Sequence, residues 1–301
     1  MSKKALTLNK ESNFKEALTG YAMILPSLIL LIIFFVVPIF MTAFYSFTRF
    51  NVLEAPQFVG LKNYTKMFSD PFVLASIRNT LLYTVITVPV QTVASLLLAC
   101  AFVAKKDNLW KNFAKSSAFI PVISSMIIVG TLWRMMFNSD IGIINTLLSF
   151  IGIEPLNWLG GKVTALIAVC VVSVWKNAGY FLVIYYAGIM DIPRSYYEAA
   201  EVDGANPVQK FFFITVPCLR SITYLVVTLG TIWSFQVFDL VYVMTGGGPG
   251  TSTVTLVMTI YNTAFKQYDM GFASAISFLL FAIIIIISVI QKKFLAGNKG
   301  R

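Results

Sequence analysis

Residues 198–217 read EAAEVDGANPVQKFFFITVP, a polar stretch set between long apolar runs. Glu198, Ala199 and Ala200 are followed by Gly204 four positions later, and Ile214 and Pro217 stand ten and thirteen positions beyond that glycine. Local chemistry predicts helix–turn–helix. Ser195 and Glu198 have the S-x-x-E spacing of a capping box, which predicts a short helix over 196–202. Asp203-Gly204 stops it, because glycine accepts the left-handed conformation that follows a helix end. Asn206 restarts the helix as its cap, with Pro207 at the first position and Gln209 at the third. The small residues Ala199, Ala200, Gly204 and Ala205 leave a surface that another protein can approach closely. Phe211, Phe212 and Phe213 are expected to bind this unit to the rest of the chain. Capping alone would account for Ser195, Glu198, Gly204, Asn206 and Pro207. It does not account for Glu-Ala-Ala at this distance from Ile214 and Pro217.

The surroundings of that stretch are those of a bilayer protein. Only 12% of the 301 residues are charged and 57% are hydrophobic, whereas a soluble domain is about a quarter charged. The net charge is +10, but the Lys and Arg flank apolar runs. They read as orientation signals rather than a nucleic-acid surface. There is no His, and Cys100, Cys170 and Cys218 are not spaced as ligand pairs. Each reads as a buried thiol, with no metal site and no disulfide framework implied. No G-x-x-x-x-G-K-[ST] cradle for phosphates occurs. No nucleophile, base and orienting group stand together, so the chain is not expected to be an enzyme by itself.

A spanning helix needs about 20 mostly apolar residues. Charge-free intervals predict six: 17–48, 79–104, 116–133, 163–190 (interrupted only by Lys176), 221–238 and 270–291. The first has no charge in 32 positions and is longer than the core of a signal peptide, about 7–15 residues. It reads as a retained helix behind a polar N-terminal tail, residues 1–20. Pro26, Pro38, Pro89 and Pro121 lie inside these runs, which is tolerated where neighbouring groups satisfy the freed backbone. Fifteen of the 23 basic residues fall in the N-terminal tail, the 105–115 and 191–220 loops and the C-terminal tail, against seven in the alternate loops. The excess of positive charge places both termini and the 191–220 loop in the cytoplasm. The run MTGGGPGTSTVT at 244–255 breaks a helix, so the fifth span is expected to end near Met244. A short interfacial helix is expected over 258–265.

The 198–217 stretch resembles the EAA loop of ABC importer permeases, with Val216 where leucine usually precedes the proline. VWKNAGYFLVIYYAGIMDIPRSYYEAAEVDGA (174–205) and FDLVYVMTGGGPG (238–250) resemble the carbohydrate-uptake branch. The similarity is to the first of the two permeases, the maltose- and glycerol-phosphate-type subunit, in its compact six-helix form. The 49–77 loop has no room for a large outer domain. The resemblance covers residues 20–292. It implies an all-α membrane protein with six transmembrane helices, the type-1 importer fold and a cytoplasmic coupling helix. The implied organisation is a tail (1–20), a first helix with its outer loop (21–72), a permease core (73–292) carrying the coupling loop 191–218, and a tail (293–301). It also implies that Glu198, Ala199, Ala200, Asp203 and Gly204 dock into an ATPase. The partners implied are a second permease subunit, two ATPase subunits that carry the ATP and Mg, an extracellular substrate-binding protein, a sugar and membrane lipid. No cofactor is expected on this chain.

A sugar path needs aromatic faces and hydrogen-bonding side chains in a mostly apolar cavity. Trp175, Lys176, Asn177 and Tyr180 on helix four and Trp233, Gln236 and Asp239 on helix five are the candidates. Trp233 and Gln236 are three apart and share a helical face, and Asp239 extends it. Such aromatics also serve as packing or interface groups, and Lys176 can equally hydrogen-bond backbone carbonyls. Helical rise puts Lys176 about 20 Å and Asp239 about 8 Å inside the outer ends of their helices, which argues against an ion pair. Two other readings remain open at this level. One keeps the transporter but moves glycerol phosphate or another small solute, for which Lys176 would serve. The other is a self-contained channel or membrane enzyme.

Overall fold

The computed structural model describes residues 3–104 and 109–295. The chain opens with α1 (Lys3–Leu31) and α2 (Val37–Ser46), joined without a break by a widened π turn at Ile32–Val36. Pro38 explains that turn. It has no N–H for the carbonyl four residues back, and its ring crowds that carbonyl, so the helix widens ahead of it. None of the apolar window within Leu18–Ser46 is buried in the chain. A two-residue hairpin follows, β1 (Thr48–Arg49) antiparallel to β2 (Gln57–Phe58), and then α3 (Lys62–Ser69). The Asn63 amide ties this outer cap down by donating to the carbonyls of Ser46 (2.9 Å) and Thr48 (2.8 Å).

Three long helices form the frame: α4 (Pro71–Ala104), α8 (Lys162–Met190) and, last in the chain, α15 (Met270–Leu295). The α4–α8 pair is the most extensive contact in the molecule. The two other expected spans are broken. The third divides into α5 (Leu109–Ile123) and α6 (Met126–Met136), bent by 106°. After the short α7 (Ile143–Ser149), α8 and the short α9 (Arg194–Val202), the fifth is built in pieces. These are α10 (Pro207–Lys210), a π turn (Phe211–Thr215), α11 (Val216–Cys218) and α12 (Arg220–Phe235). The stretch Pro207–Cys218 meets α12 at 69°. Four helices are therefore long and apolar enough to cross a membrane, or six if each bent pair is one span. A charge-free run reports length, not straightness, and so the breaks were invisible in it.

The fifth span also stops earlier than the glycines required. Helix α12 ends at Phe235, and α13 (Asp239–Met244) restarts after Gln236, Val237 and Phe238. The Thr255 hydroxyl donates to the stranded Val237 carbonyl at 2.9 Å. Beyond the glycines comes α14 (Leu256–Tyr261). It starts two residues ahead of the expected short helix and packs into the fold, with Leu256 and Met258 buried. Asn79 on α4 donates to the carbonyls of Thr251 (2.6 Å) and Val254 (3.0 Å), and the Thr80 hydroxyl accepts from the Leu256 N–H at 3.0 Å.

Helix α4 is turned inside out relative to a soluble helix. Ser76, Thr80, Thr84, Thr87, Gln91 and Ser95 are buried, and Leu81, Leu82, Val85, Val90, Val93 and Leu97 are exposed. Lipid tails are as apolar as leucine, so helices meet through small and polar faces. One cysteine and two phenylalanine expectations fail. Cys218 is exposed, and Phe212 and Phe213 (77%) point away from the bundle. Apolar side chains here need not face inward.

Lys176 closes the sharpest break. Its ammonium donates to the carbonyls of Pro121 (3.1 Å) and Val122 (3.3 Å) in the last turn of α5. Those carbonyls have lost their helical partners at the bend, and a cation there also meets the negative end of the helix dipole. Gly179, one turn further along α8, makes the approach possible, since a Cβ there would strike the Ala118 carbonyl and the Val122 side chain. Replacing Lys176 by Met is expected to strand both carbonyls at a cost of about 1–3 kcal/mol. Lys176→Met should lower the thermal midpoint of the purified protein clearly more than Lys176→Arg does. Equal midpoints would contradict this assignment.

Candidate functional site

Two groups of residues are presented for chemistry, a docking loop and an aromatic cavity. In the loop, α9 starts at Arg194 with Pro193 as its cap residue and no side-chain cap. The Ser195–Glu198 capping box is therefore absent. Proline fixes the turn into the helix in its place, and Glu198 makes no hydrogen bond or ion pair among the described residues. The helix ends as expected. Gly204 has φ +75°, the Gly204 N–H donates to the Glu201 carbonyl (3.0 Å) and the Ala205 N–H to the Ala200 carbonyl (2.8 Å). This is a Schellman closure. Asn206 and Gln209 then form the reciprocal box, Gln209 N–H to Asn206 Oδ1 at 2.9 Å and Asn206 N–H to Gln209 Oε1 at 2.8 Å.

Three contacts hold this loop as a unit. Lys210 pairs with Glu201 at 2.8 Å. The Tyr197 and Thr215 hydroxyls bond at 2.9 Å. Tyr197 and Ile214, not the phenylalanines, pack on the buried cluster of Phe181, Leu182, Tyr185 and Leu219. Glu198, Ala199, Asp203 and Gly204 are exposed, while Ala200 is half-buried. A Cβ on Gly204 would meet nothing within 4 Å. Val202 is 89% exposed and Val208 63%. Sequence reading missed both, although an apolar residue at the last helical position before a capping glycine is a signal that could have been used. The result is a rigid knob with two apolar side chains beside two carboxylates.

The cavity lies at the end of α12. It measures about 150 Å³ and is lined by Tyr83 from α4, Ser173 and Asn177 from α8, and Trp233, Gln236 and Asp239. Gln236 and Asp239 do not continue the α12 face. They belong to the break and to the first residue of α13, and the break itself turns them to the same opening. Tyr180 does not line the cavity but packs its ring on Trp233, centroids 4.9 Å apart. Phe181 supports Trp233 from behind at 5.4 Å. Trp175 is on the other side of α8, and the Lys176 ammonium is turned to α5. Trp175 meets Trp133 at 5.4 Å and opens on a separate, mostly apolar cleft of about 570 Å³. Helical geometry explains the position of Trp175, since 173, 176, 177 and 180 share a face that 175 does not. Lys176 stands on that face but reaches the Pro121 and Val122 carbonyls instead of the cavity. Tyr83 and Ser173 were missed, because tyrosine and serine on apolar helices carry no distinguishing pattern. Among the described residues no Lys or Arg lines the cavity.

A family model described as the binding-protein-dependent transport system inner membrane component matches residues 68–297. The chain belongs to this family. It is therefore a membrane-embedded transport permease, with the type-1 ABC importer fold and no enzymatic role shown by its family. It is 36% identical to a probable ABC transporter permease, YurN, of Bacillus subtilis, over 93% of this chain and 96% of that protein. It is 33% identical to the trehalose/maltose transport system permease MalF of Thermococcus litoralis, over 95% and 96%. It is also 33% identical to the arabinooligosaccharides transport system permease AraP of Bacillus subtilis, over 95% and 91%. Among solved structures, a bacterial alginate ABC transporter bound to its periplasmic protein contains a chain with the same fold. The TM-score is 0.83 at 22% identity, with 94% and 95% of the two chains covered.

In this permease the cavity side chains are those expected to be felt by cargo. Gln236→Leu removes one exposed hydrogen-bonding group without touching the core, and losing such a bond costs about 0.5–1.5 kcal/mol. Uptake by the assembled transporter is expected to fall about two- to tenfold. Unchanged uptake of every sugar tested would remove this cavity from the path.

Proposed function

We propose that this permease is one half of an importer that carries a sugar or oligosaccharide across the cytoplasmic membrane, powered by ATP hydrolysed on separate subunits. Loop 191–218 serves as the lever. The observation that carries the coupling is the loop itself: internally capped at both helices, tied down by Tyr197 and Lys210, and left with Glu198, Val202 and Asp203 outward. A segment that satisfies its own backbone and still presents an unpartnered carboxylate beside exposed valine fits a basic and apolar groove on an ATPase. ATP-driven closure of two such ATPases would move the docked loops and switch the cavity between sides.

The cargo reading is supported by the cavity's chemistry and by the names of the relatives. Trp233 offers a flat apolar face for a sugar ring, and Asn177, Gln236 and Asp239 offer hydrogen-bond partners for hydroxyls. The absence of a cationic side chain from the lining, with Lys176 committed to carbonyls, favours a neutral polyol over an anion such as glycerol phosphate. At about 150 Å³ the cavity is smaller than ordinary ligand sites, roughly 300–1,000 Å³. It is half of a site, and a second permease subunit supplies the facing wall. An extracellular binding protein delivers the cargo, and both chain termini lie inside, as the positive charge bias requires.

Two experiments test this reading. In Gly204→Asp the new Cβ meets nothing within 4 Å. The left-handed φ of +75° costs an Asp about 1 kcal/mol, too little to stop the protein from inserting and assembling. Docking should suffer. In reconstituted complexes uptake is expected to fall about tenfold or more, the effect of roughly 1.4 kcal/mol lost at the contact, with hydrolysis no longer stimulated by the loaded binding protein. Normal stimulation with full uptake would mean that this loop is not the lever.

Orientation is tested separately in a background without native cysteines. Gln57→Cys and Asn157→Cys should react in intact cells with a membrane-impermeant thiol reagent, and Lys292→Cys should not. Labelling of Lys292→Cys from outside would reverse the assigned topology.

A further inference from the structure

Many hydroxyls in the helices and bends of this chain are spent on the local backbone, and Ser173 is not among them. Thr84, Ser95, Ser124, Thr131, Thr231 and Ser277 each donate to the carbonyl four residues back. That is the ordinary resting place of a serine or threonine proton in an apolar helix. Ser173 makes no such bond among the described residues. It acts as an acceptor twice: from the Tyr83 hydroxyl at 2.6 Å and from the Asn177 amide at 3.3 Å. A hydroxyl has two acceptor lone pairs and one proton. With both lone pairs engaged, only the proton is left, and Ser173 lines the cavity.

We propose that Tyr83 is a positioning residue that turns the Ser173 hydroxyl into the cavity as a hydrogen-bond donor to a cargo hydroxyl. The inference rests on the cavity being the cargo path. Tyr83 is suited to the task because it is held rigidly, 2% exposed, in the cluster with Val169 and Val172. Its ring fixes where its proton points. The Asn177 amide spends one of its two N–H groups on Ser173 and keeps its carbonyl oxygen as an acceptor beside that donor. The cavity wall then offers one donor and one acceptor a single helical turn apart, next to the Trp233 ring. Adjacent hydroxyls on a pyranose or furanose, each both donor and acceptor, match that pair. A cargo lacking one of the two hydroxyls would leave a buried polar group unpaired, and discrimination of this kind is steep.

Tyr83→Phe keeps the ring and removes only the donor. Released from Tyr83, the Ser173 hydroxyl should swing back to the Val169 carbonyl, which a cryo-electron microscopy structure of the variant complex would reveal. Unchanged Ser173 geometry overturns the proposal whatever the cargo. Uptake of trehalose, maltose and an arabino-oligosaccharide by cells carrying the whole importer gives the second readout, with Ser173→Ala, Gln236→Leu and the Tyr83→Phe/Ser173→Ala pair alongside. Tyr83→Phe and Ser173→Ala should each raise KM about two- to tenfold with little change in maximal rate. The pair should be no worse than Ser173→Ala alone. Raised KM in Gln236→Leu with Tyr83→Phe at the wild-type value would refute the role of Tyr83 and leave the cavity standing. Wild-type uptake in all variants would refute the cavity reading as well.

Discussion

Backbone groups inside a bilayer have no water to turn to, and each unsatisfied one costs several kcal/mol. The structure is organised around the places where this chain breaks its helices in spite of that. At the 106° bend between α5 and α6, Lys176 supplies the missing donors to Pro121 and Val122. At the end of α12, Thr255 supplies one to Val237. At the approach to α14, Asn79 and Thr80 on α4 serve carbonyls and an N–H together. Irregular backbone is tolerated within a membrane where it is buried in protein or lines a cavity. The break at Gln236–Phe238 does the second of these, and the same interruption that needs rescuing gives the cavity its polar wall.

The same accounting explains why the loop and the cavity differ in character. The loop lies outside the apolar frame, so it can close both helix ends with its own residues and still leave carboxylates solvated. Its rigidity comes from a Schellman closure, a capping box and an ion pair, all within 200–210. The cavity lies within the frame and depends on distant partners. Tyr83 and Ser173 are ninety positions apart and bond at 2.6 Å. Tyr197 and Ile214 of the loop pack against the buried cluster that contains Phe181 and Tyr185, and the Phe181 ring contacts Trp233. A contiguous set of packed side chains therefore joins the two sites along α8.

Much of this was legible in residues 198–217 and in the charge pattern. Gly204, Asn206, Pro207 and Gln209 carry their conformations in their own chemistry, and the apolar runs fixed the class of protein and the position of its long helices. The family followed from the same residues. Some expectations failed, and each failure has a physical origin. Ser195 does not cap because Pro193 already sets the entry to α9. Phe212 and Phe213 do not face the bundle, because Tyr197 and Ile214 already fill the contact with its buried cluster. Trp175 sits beside the right residues in sequence but on the wrong side of α8, and Lys176 shares their face yet spends its ammonium on the α5 carbonyls.

Local rules therefore determined what short-range interactions can determine: caps, turns, the length of apolar helices and the sign of the loops. Tertiary structure alone decided where the helices bend, which face of α4 is inside, and which of seven polar and aromatic candidates share a cavity. The reason is that hydrophobicity, the strongest pattern in a soluble sequence, is nearly uniform around a membrane helix. What remains to select a face is a handful of hydrogen bonds, such as Lys176 to Pro121 and Tyr83 to Ser173, made between residues that the sequence keeps far apart.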